Sequence, residues 1–333
     1  MVAVRRPALL FFLLFVAFCC ASNAPAASDP KPAADDSLPK LLWREPDRIT
    51  PQDWICGPGG CGRTPTPPFQ FVKEDSGGTN PKMSVKDAKG LSWSIKFGAE
   101  VIPECFGSRF LTALGYFAEP THFVAAGKVE GAKNLKATRR VVDKDGSFKR
   151  ARFELRGEKD FVFLEHRQWG WNDNPFKGSH ELAGLKIVML LMSNWDDKDD
   201  RDGDDSNNNV FRGIVQGGPT LLYAVSDWGA SLGRWGGIRR RDQSDCAGYT
   251  REDPKFISVA PGGAIEWGYE GKHNDIKNGI TVEDIRWLLP HLRRITDEDL
   301  RTGLKASGAT ERQARCWSGA IENRVRQLEA VAR

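Results

Sequence analysis

From Phe69 onward the apolar and polar positions follow two different periods. Phe69–Lys73, Lys82–Asp87 and Ser92–Phe97 are short apolar or alternating runs, separated by DSGGTNP and AKG, whose Gly, Pro, Asn and Asp residues favour turns. His122–Val129, Arg152–Leu155 and Phe161–Glu165 read as further strands. Between these two groups, Phe106, Phe110, Leu111 and Leu114 recur at helical spacing in Glu104–Leu114, just behind Pro103 at a helix start. Beyond residue 176 the period becomes mostly helical. HELAGLKIVMLLMSNW (His180–Trp195) predicts an apolar helix, Thr220–Val225 a strand, and Thr281–Leu292, Thr296–Lys305 and Glu311–Ala332 amphipathic helices. Thr281 with Asp284, and Thr296 with Asp299, carry the spacing of a capping box. The expected class is α+β: a small β-rich part with one helix over 69–175, then a larger, mainly helical part over 176–333. Residues 28–68 are rich in Pro, Ala, Asp and Gly and read as a linker that becomes an ordered arm around Trp43 to Cys61.

The first 27 residues break this pattern. Arg5 and Arg6 precede an apolar run, Ala8–Phe18, too short to span a bilayer, and small residues follow. That order predicts an export signal over 1–27, with a lipid anchor at Cys19 or Cys20 as the variant, and hence a periplasmic or extracellular location. Cysteine usage agrees. CGPGGC closes a tight loop in which Cys56 and Cys61 pair easily, as an oxidising compartment permits. A metal site there would need a second ligand pair, and none has suitable spacing. Five cysteines beyond the signal leave at least one thiol unpaired. A formal charge of +4 over 333 residues, part of it in the signal, gives no case for nucleic acid as a partner.

The candidate chemistry gathers in two segments. NWDDKDDRDGDDSNNN (Asn194–Asn209) follows the apolar helix, and SDWG (Ser226–Gly229) follows the apolar strand. Phosphoryl transfer needs a carboxylate beside the attacking hydroxyl and an Asp and an Asn to hold Mg²⁺ against the phosphates. Asp196 is placed to orient or deprotonate the acceptor, and Lys198 to offset developing charge. Asn207 and Asp227 are the expected metal ligands, with Asn208 and Asn209 as alternatives to Asn207. Asn207 stands eleven residues after Asp196, so an acidic insertion of about Asp200–Asp205 must loop out. A solvated acidic loop competes with this reading, as does an irregular Ca²⁺ site; a regular EF-hand fails because Gly203 would put Lys198 at its first ligand position. Lys96 lies inside the apolar strand SWSIKF and needs an anionic partner there, for which Glu104 ranks ahead of Glu100. Gly77 and Gly78, in the first turn, let backbone amides approach phosphate oxygens, though such a pair is also an ordinary hairpin turn. Arg239–Arg241 lie where a substrate loop would be, and no histidine has metal or triad spacing.

The order Lys96, Glu104, Asp196-x-Lys198, Asn207, Asp227-x-Gly229 resembles the protein-kinase-like superfamily, over roughly residues 69–330. There is no HRD, VAIK or APE motif, so it looks closer to the atypical branches, among them the HipA-like, phosphatidylinositol-kinase-like, secretory-pathway and spore-coat kinases. The resemblance implies a two-lobed kinase-like fold, ATP and Mg²⁺. It implies Lys96 on the nucleotide phosphates with Glu104 orienting it, and transfer to a hydroxyl of a protein, lipid or small molecule. The expected function is an exported, Mg²⁺-dependent phosphotransferase. The alternatives are a kinase-fold pseudoenzyme or exported binding protein whose acidic loop takes Ca²⁺, and a secreted metal-dependent hydrolase. Outside the cytoplasm, either nucleotide reaches the chain or another phosphoryl donor serves.

Overall fold

Five strands with a period-two pattern cannot leave two apolar edges in water, and here they close on themselves. In the computed structural model, β1 (Lys40–Leu41) and helix α1 (Pro51–Cys56) precede β2 (Phe69–Asp75), β3 (Lys82–Lys86), β4 (Ser92–Phe97), α2 (Val101–Ala113), β5 (Thr121–Glu130) and β6 (Ser147–Arg156). The strands β2-β3-β4-β6-β5 form a closed barrel. Its interior is filled by Phe69, Met83, Val85, Trp93, Ile95, Phe97, Phe148 and Phe153, the inward-facing members of each alternation. The outer faces of β4 and β6 carry Lys96 and Arg152, directly opposite each other in the register.

The structure describes residues 36–333 except 48, 76, 78–79, 159–160, 198–206 and 237–240, and the backbone alone of 241–242. The second sheet has the order β1-β9-β8-β7, from β7 (Phe161–Gln168), β8 (Asn208–Val215) and β9 (Gly218–Val225). Strand β8, which pairs with both β7 and β9, was not anticipated. Two short hairpins follow, β10 (Arg234–Trp235) with β11 (Arg241–Asp242) and β12 (Ile257–Val259) with β13 (Ile265–Trp267). The remaining helices are α3 (His180–Leu191), α4 (Cys246–Tyr249), α5 (Val282–Arg293), α6 (Asp297–Ala306) and α7 (Glu311–Val331). The mixed class expected from the two periods is thus present, with barrel, sheet and seven α-helices among the described residues.

Helix starts follow the capping signals. Thr281 and Asp284 open α5 with a reciprocal capping box, and Thr296 and Asp299 open α6 in the same way. One helix end departs from expectation. The apolar run was expected to stay helical to Trp195, but α3 stops at Leu191. Ser193 takes a left-handed conformation (φ 48°), its hydroxyl meets Glu252 and Arg324, and the Asn194 amide turns back to the Met189 carbonyl. The chain therefore leaves the helix axis before Trp195 and Asp196. Among the described residues there are two disulfides, Cys56–Cys61 as expected and Cys246–Cys316, which joins α4 to α7, while Cys105 is a buried free thiol. No helix of the described residues is long and apolar enough to cross a membrane.

Candidate phosphoryl-transfer site

Lys96 lies on the outer face of β4, and α2 begins five residues later and packs against the neighbouring strands β5 and β6. Glu100 is the N-cap residue of α2 and Glu104 sits in its first turn, so a spacing of four puts both carboxylates on one side of the helix. Both reach Lys96: Glu100 Oε2 is 3.0 Å from its Nζ, and Glu104 is its second partner. The sequence ranking of Glu104 over Glu100 thus resolves into a shared site. Glu104 also bonds Arg152, which in turn pairs with Glu154. The register explains why Glu104 is needed. Lys96 and Arg152 are cross-strand neighbours of like charge, an arrangement that destabilises a sheet unless an anion lies between them. Arg152 and Glu154 had no signal in the sequence beyond charge on a strand; their burial comes from α2.

Burial opposes the charge on Lys96, yet Glu104, Asp227 and Glu100 outweigh it and lift the ammonium pKa above the usual lysine range. For Glu104, burial is the largest influence and pushes its carboxyl upward, against the pull of Arg152 and Lys96. Glu119, buried near Glu154, is pushed up to about 8 by burial first and by that neighbouring carboxylate second.

Asp227 follows β9 and closes a tight turn in which the Gly229 amide donates to Asp227 Oδ1 at 2.8 Å. The turn is wedged against α2 through two glycines. A Cβ on Gly229 would lie 2.7 Å from the Glu100 carboxyl carbon, and a Cβ on Gly107 would lie 2.8 Å from the Trp228 Cβ. Only residues without a side chain allow this approach. It brings carboxylate oxygens of Glu100, Glu104 and Asp227 within 4.8 Å of one another. Three hard oxygen donors so close repel each other, and a divalent cation of the Mg²⁺ or Mn²⁺ type suits them chemically.

Asp196 comes to this region from the other segment. The Asn207 side-chain amide donates to the Asp196 carbonyl at 3.2 Å, and the Ser226 amide donates to the Asn207 carbonyl at 2.8 Å. Pairing of Asn208 with Val225 sets that contact, so β8 joins the two acidic segments. The Asn194 side chain adds a bond to the Asp227 carbonyl at 3.0 Å. Asp196 Oδ1 is met at 2.5 Å by Lys272, a residue the sequence reading did not single out. Asp197 turns away, buried, to the Trp171 indole at 2.8 Å.

Of the residues singled out in sequence, the structure brings Lys96, Glu104 and Asp227 into one cluster and links Asn207 to Asp196. Gly77 lies in the β2–β3 turn with its amide donating to Asp75 Oδ1 at 2.9 Å. That turn returns over Gly98, just past Lys96, where a Cβ would lie 2.8 Å from Asn80 Oδ1. Lys198, Gly78, the acidic stretch 200–205 and residues 239–240 lie outside the described residues.

No protein-family description matches the chain, and no curated protein matches it. Among solved structures it is similar to "Crystal structure of the golgi casein kinase", at 12% identity and a TM-score of 0.36, covering 80% of this chain and 72% of that one. It is also similar to "crystal structure of the Golgi casein kinase with Mn/ADP bound", at 11% identity and a TM-score of 0.34, with the same coverage. Neither of these neighbours is a HipA-like or phosphatidylinositol-kinase-like enzyme by description. At these values the likeness carries no weight for the chemistry, which rests on the residues above.

Proposed function

We propose that this chain is a kinase-like phosphotransferase of an atypical kind, moving a phosphoryl group from a nucleoside triphosphate such as ATP to a hydroxyl acceptor. The observation that carries this reading is the convergence of Lys96 with Glu100, Glu104 and Asp227 at the junction of β4, α2 and the turn after β9. A purely structural ion pair needs one carboxylate per cation. Here Glu104 already bridges Lys96 and Arg152, so Glu100 and Asp227 add carboxylates beyond what that pairing needs, with Gly229 permitting the crowding, and this favours a site built for a cation and an anionic ligand.

In this reading the barrel (part of 69–175) and the helical part (176–333) act as the two lobes of a kinase-like arrangement. Lys96 keeps its proton and faces the donor phosphates. Glu104 holds Lys96, with Arg152 behind it. Asp227 and Glu100 would hold a divalent ion, with Asn207 as a further ligand. When bound, Mg²⁺ or Mn²⁺ would neutralise phosphate charge. Asp196 takes the proton of the acceptor hydroxyl as the new O–P bond forms. The bond from that phosphorus to the bridging oxygen breaks, and its electron pair leaves with the nucleoside diphosphate. Export of the mature chain is part of the proposal. It is supported by the Arg5–Phe18 pattern and by two disulfides, which suit an oxidising compartment.

Thermal melting of residues 28–333 with ATP and Mg²⁺ tests the reading, with Asp227→Ala as control. A Mg²⁺-dependent rise that the variant loses is the expected result. No rise with nucleotide, together with a rise on Ca²⁺ alone, would refute it in favour of an ion-binding protein.

A further inference from the structure

Resting on that reading, we propose that Lys272 is the positioning residue of Asp196: its ammonium fixes one carboxylate oxygen and leaves the other to the acceptor hydroxyl. The two residues are 76 positions apart and meet through a segment laid along the chain after α3. The Tyr269 hydroxyl, buried, donates to the Asn194 carbonyl at 2.7 Å. The Lys272 amide donates to the Trp195 carbonyl at 2.9 Å. Lys277 in turn holds the Tyr269 carbonyl at 3.0 Å. Residues 269–272 are therefore pinned to 194–195 by main-chain and phenol bonds before any side-chain charge is considered.

Among the described residues, two groups lie beside the Lys272 ammonium. It lies 5.8 Å from the Trp195 ring centroid and 2.5 Å from Asp196 Oδ1. An exposed ion pair between flexible side chains contributes little, because ordering both offsets the attraction. This pair differs, since the backbone on either side is fixed and the lysine ammonium lies over a buried indole. The side chains are 29% and 25% exposed, open enough for an acceptor to approach and closed enough to restrict the carboxylate. Asp196 itself sits in a segment without helical restraint, because α3 stops at Leu191. Its backbone carbonyl is held by Asn207 and its carboxylate by Lys272, 11 and 76 positions further along the chain. A second consequence is electrostatic. A cation beside the proton-accepting carboxylate also lies beside the phosphoryl group in transit, and would share its charge as transfer proceeds.

The test compares wild type, Lys272→Met and Lys272→Arg as full mature chains. The readout is ADP release from ATP and Mg²⁺ with water as the acceptor, beside melting temperature. Lys272→Met is expected to lower kcat about tenfold or more, with KM for ATP within about twofold, because Lys272 acts on the acceptor side. Its melting temperature should stay within about 2 °C, since the backbone bonds remain. Lys272→Arg should recover most of kcat. An unchanged kcat in Lys272→Met overturns this proposal and leaves the phosphotransferase reading standing. So does a loss of rate that merely follows a large drop in melting temperature or a raised KM. A wild-type chain that neither binds nor turns over ATP overturns both.

Discussion

Glu100 and Glu104 contact the same ammonium, yet their replacement should have different consequences. Glu104 is 5% exposed and separates two cations, Lys96 and Arg152. Removing one member of a buried ion pair costs about 3–5 kcal/mol. Here Arg152 keeps Glu154 and Lys96 keeps Glu100, which puts Glu104→Gln at the lower end, about 3 kcal/mol. At about 2 °C per kcal/mol for a chain of this size, its melting temperature should fall by about 6 °C. Glu100 has side-chain exposure of 13%, and its carboxylate stands within 4.8 Å of two others. Glu100→Gln removes a contact to Lys96 but also relieves repulsion, so without metal its effect should lie within about 1 kcal/mol of zero. With Mn²⁺ at about a hundredfold its Kd, the wild type should gain about 2.7 kcal/mol, and Glu100→Gln should lose most of that gain. Scanning calorimetry of the three proteins, with chelator and then with Mn²⁺, reads both effects. Equal destabilisation by the two variants in chelator would refute the assignment of Glu104 as the buried bridge. A full Mn²⁺ response in Glu100→Gln would refute a metal site at this carboxylate cluster.

Gly229→Ala places a methyl 2.7 Å from the Glu100 side chain and should cost about 1–3 kcal/mol while weakening the Mn²⁺ response, measured by the same scans. Gly319→Ala is its contrast: it lies in α7 with open space around it, and should stabilise by about 0.5–1 kcal/mol in chemical denaturation. Loop length ranks the disulfides. Replacing Cys246 and Cys316 by Ser, 70 positions apart, should cost about 4 kcal/mol, and replacing Cys56 and Cys61, five apart, about 2 kcal/mol, in urea unfolding of each double variant. Glu74 gives a pH dependence. Slight burial pushes its carboxyl up, but bonds from Thr138 and Lys136 outweigh this and bring it from 4.5 to about 2. A depressed folded value stabilises above the unfolded one, so this contribution should be complete above about pH 4.5 and vanish as pH falls towards 2. It should amount to about 1 kcal/mol after solvent screening, and Glu74→Gln should remove it from the urea midpoint against pH.

Most helices and barrel strands were legible in the chain because their signals are local. The alternation of SWSIKF and the apolar spacing behind Pro103 depend on neighbours within a few residues, as do the Thr-x-x-Asp boxes at 281 and 296. Lys96 could also be flagged locally, since a lysine in an apolar strand requires an anion. Which anion could not be read. Glu100 and Glu104 differ by one helical turn, and only the packing of α2 against β5 and β6, beside β4, gives Lys96 both. The end of α3 was overestimated because apolarity continues to Trp195, while the bonds that stop it come from Glu252 and Arg324, far along the chain. Strand β8 was missed because the acidic run before it hides its start, and its partners lie on both sides of that run. The contact of Asp227 with the α2 carboxylates, the Cys246–Cys316 bridge and the approach of Lys272 to Asp196 join segments at least 70 residues apart. The residues that could carry charge, and the starts of the elements with local capping or alternation signals, could be read from the chain alone. Their meeting depends on barrel closure and on glycine-permitted contact between a turn and a helix, both set by packing that no local window contains.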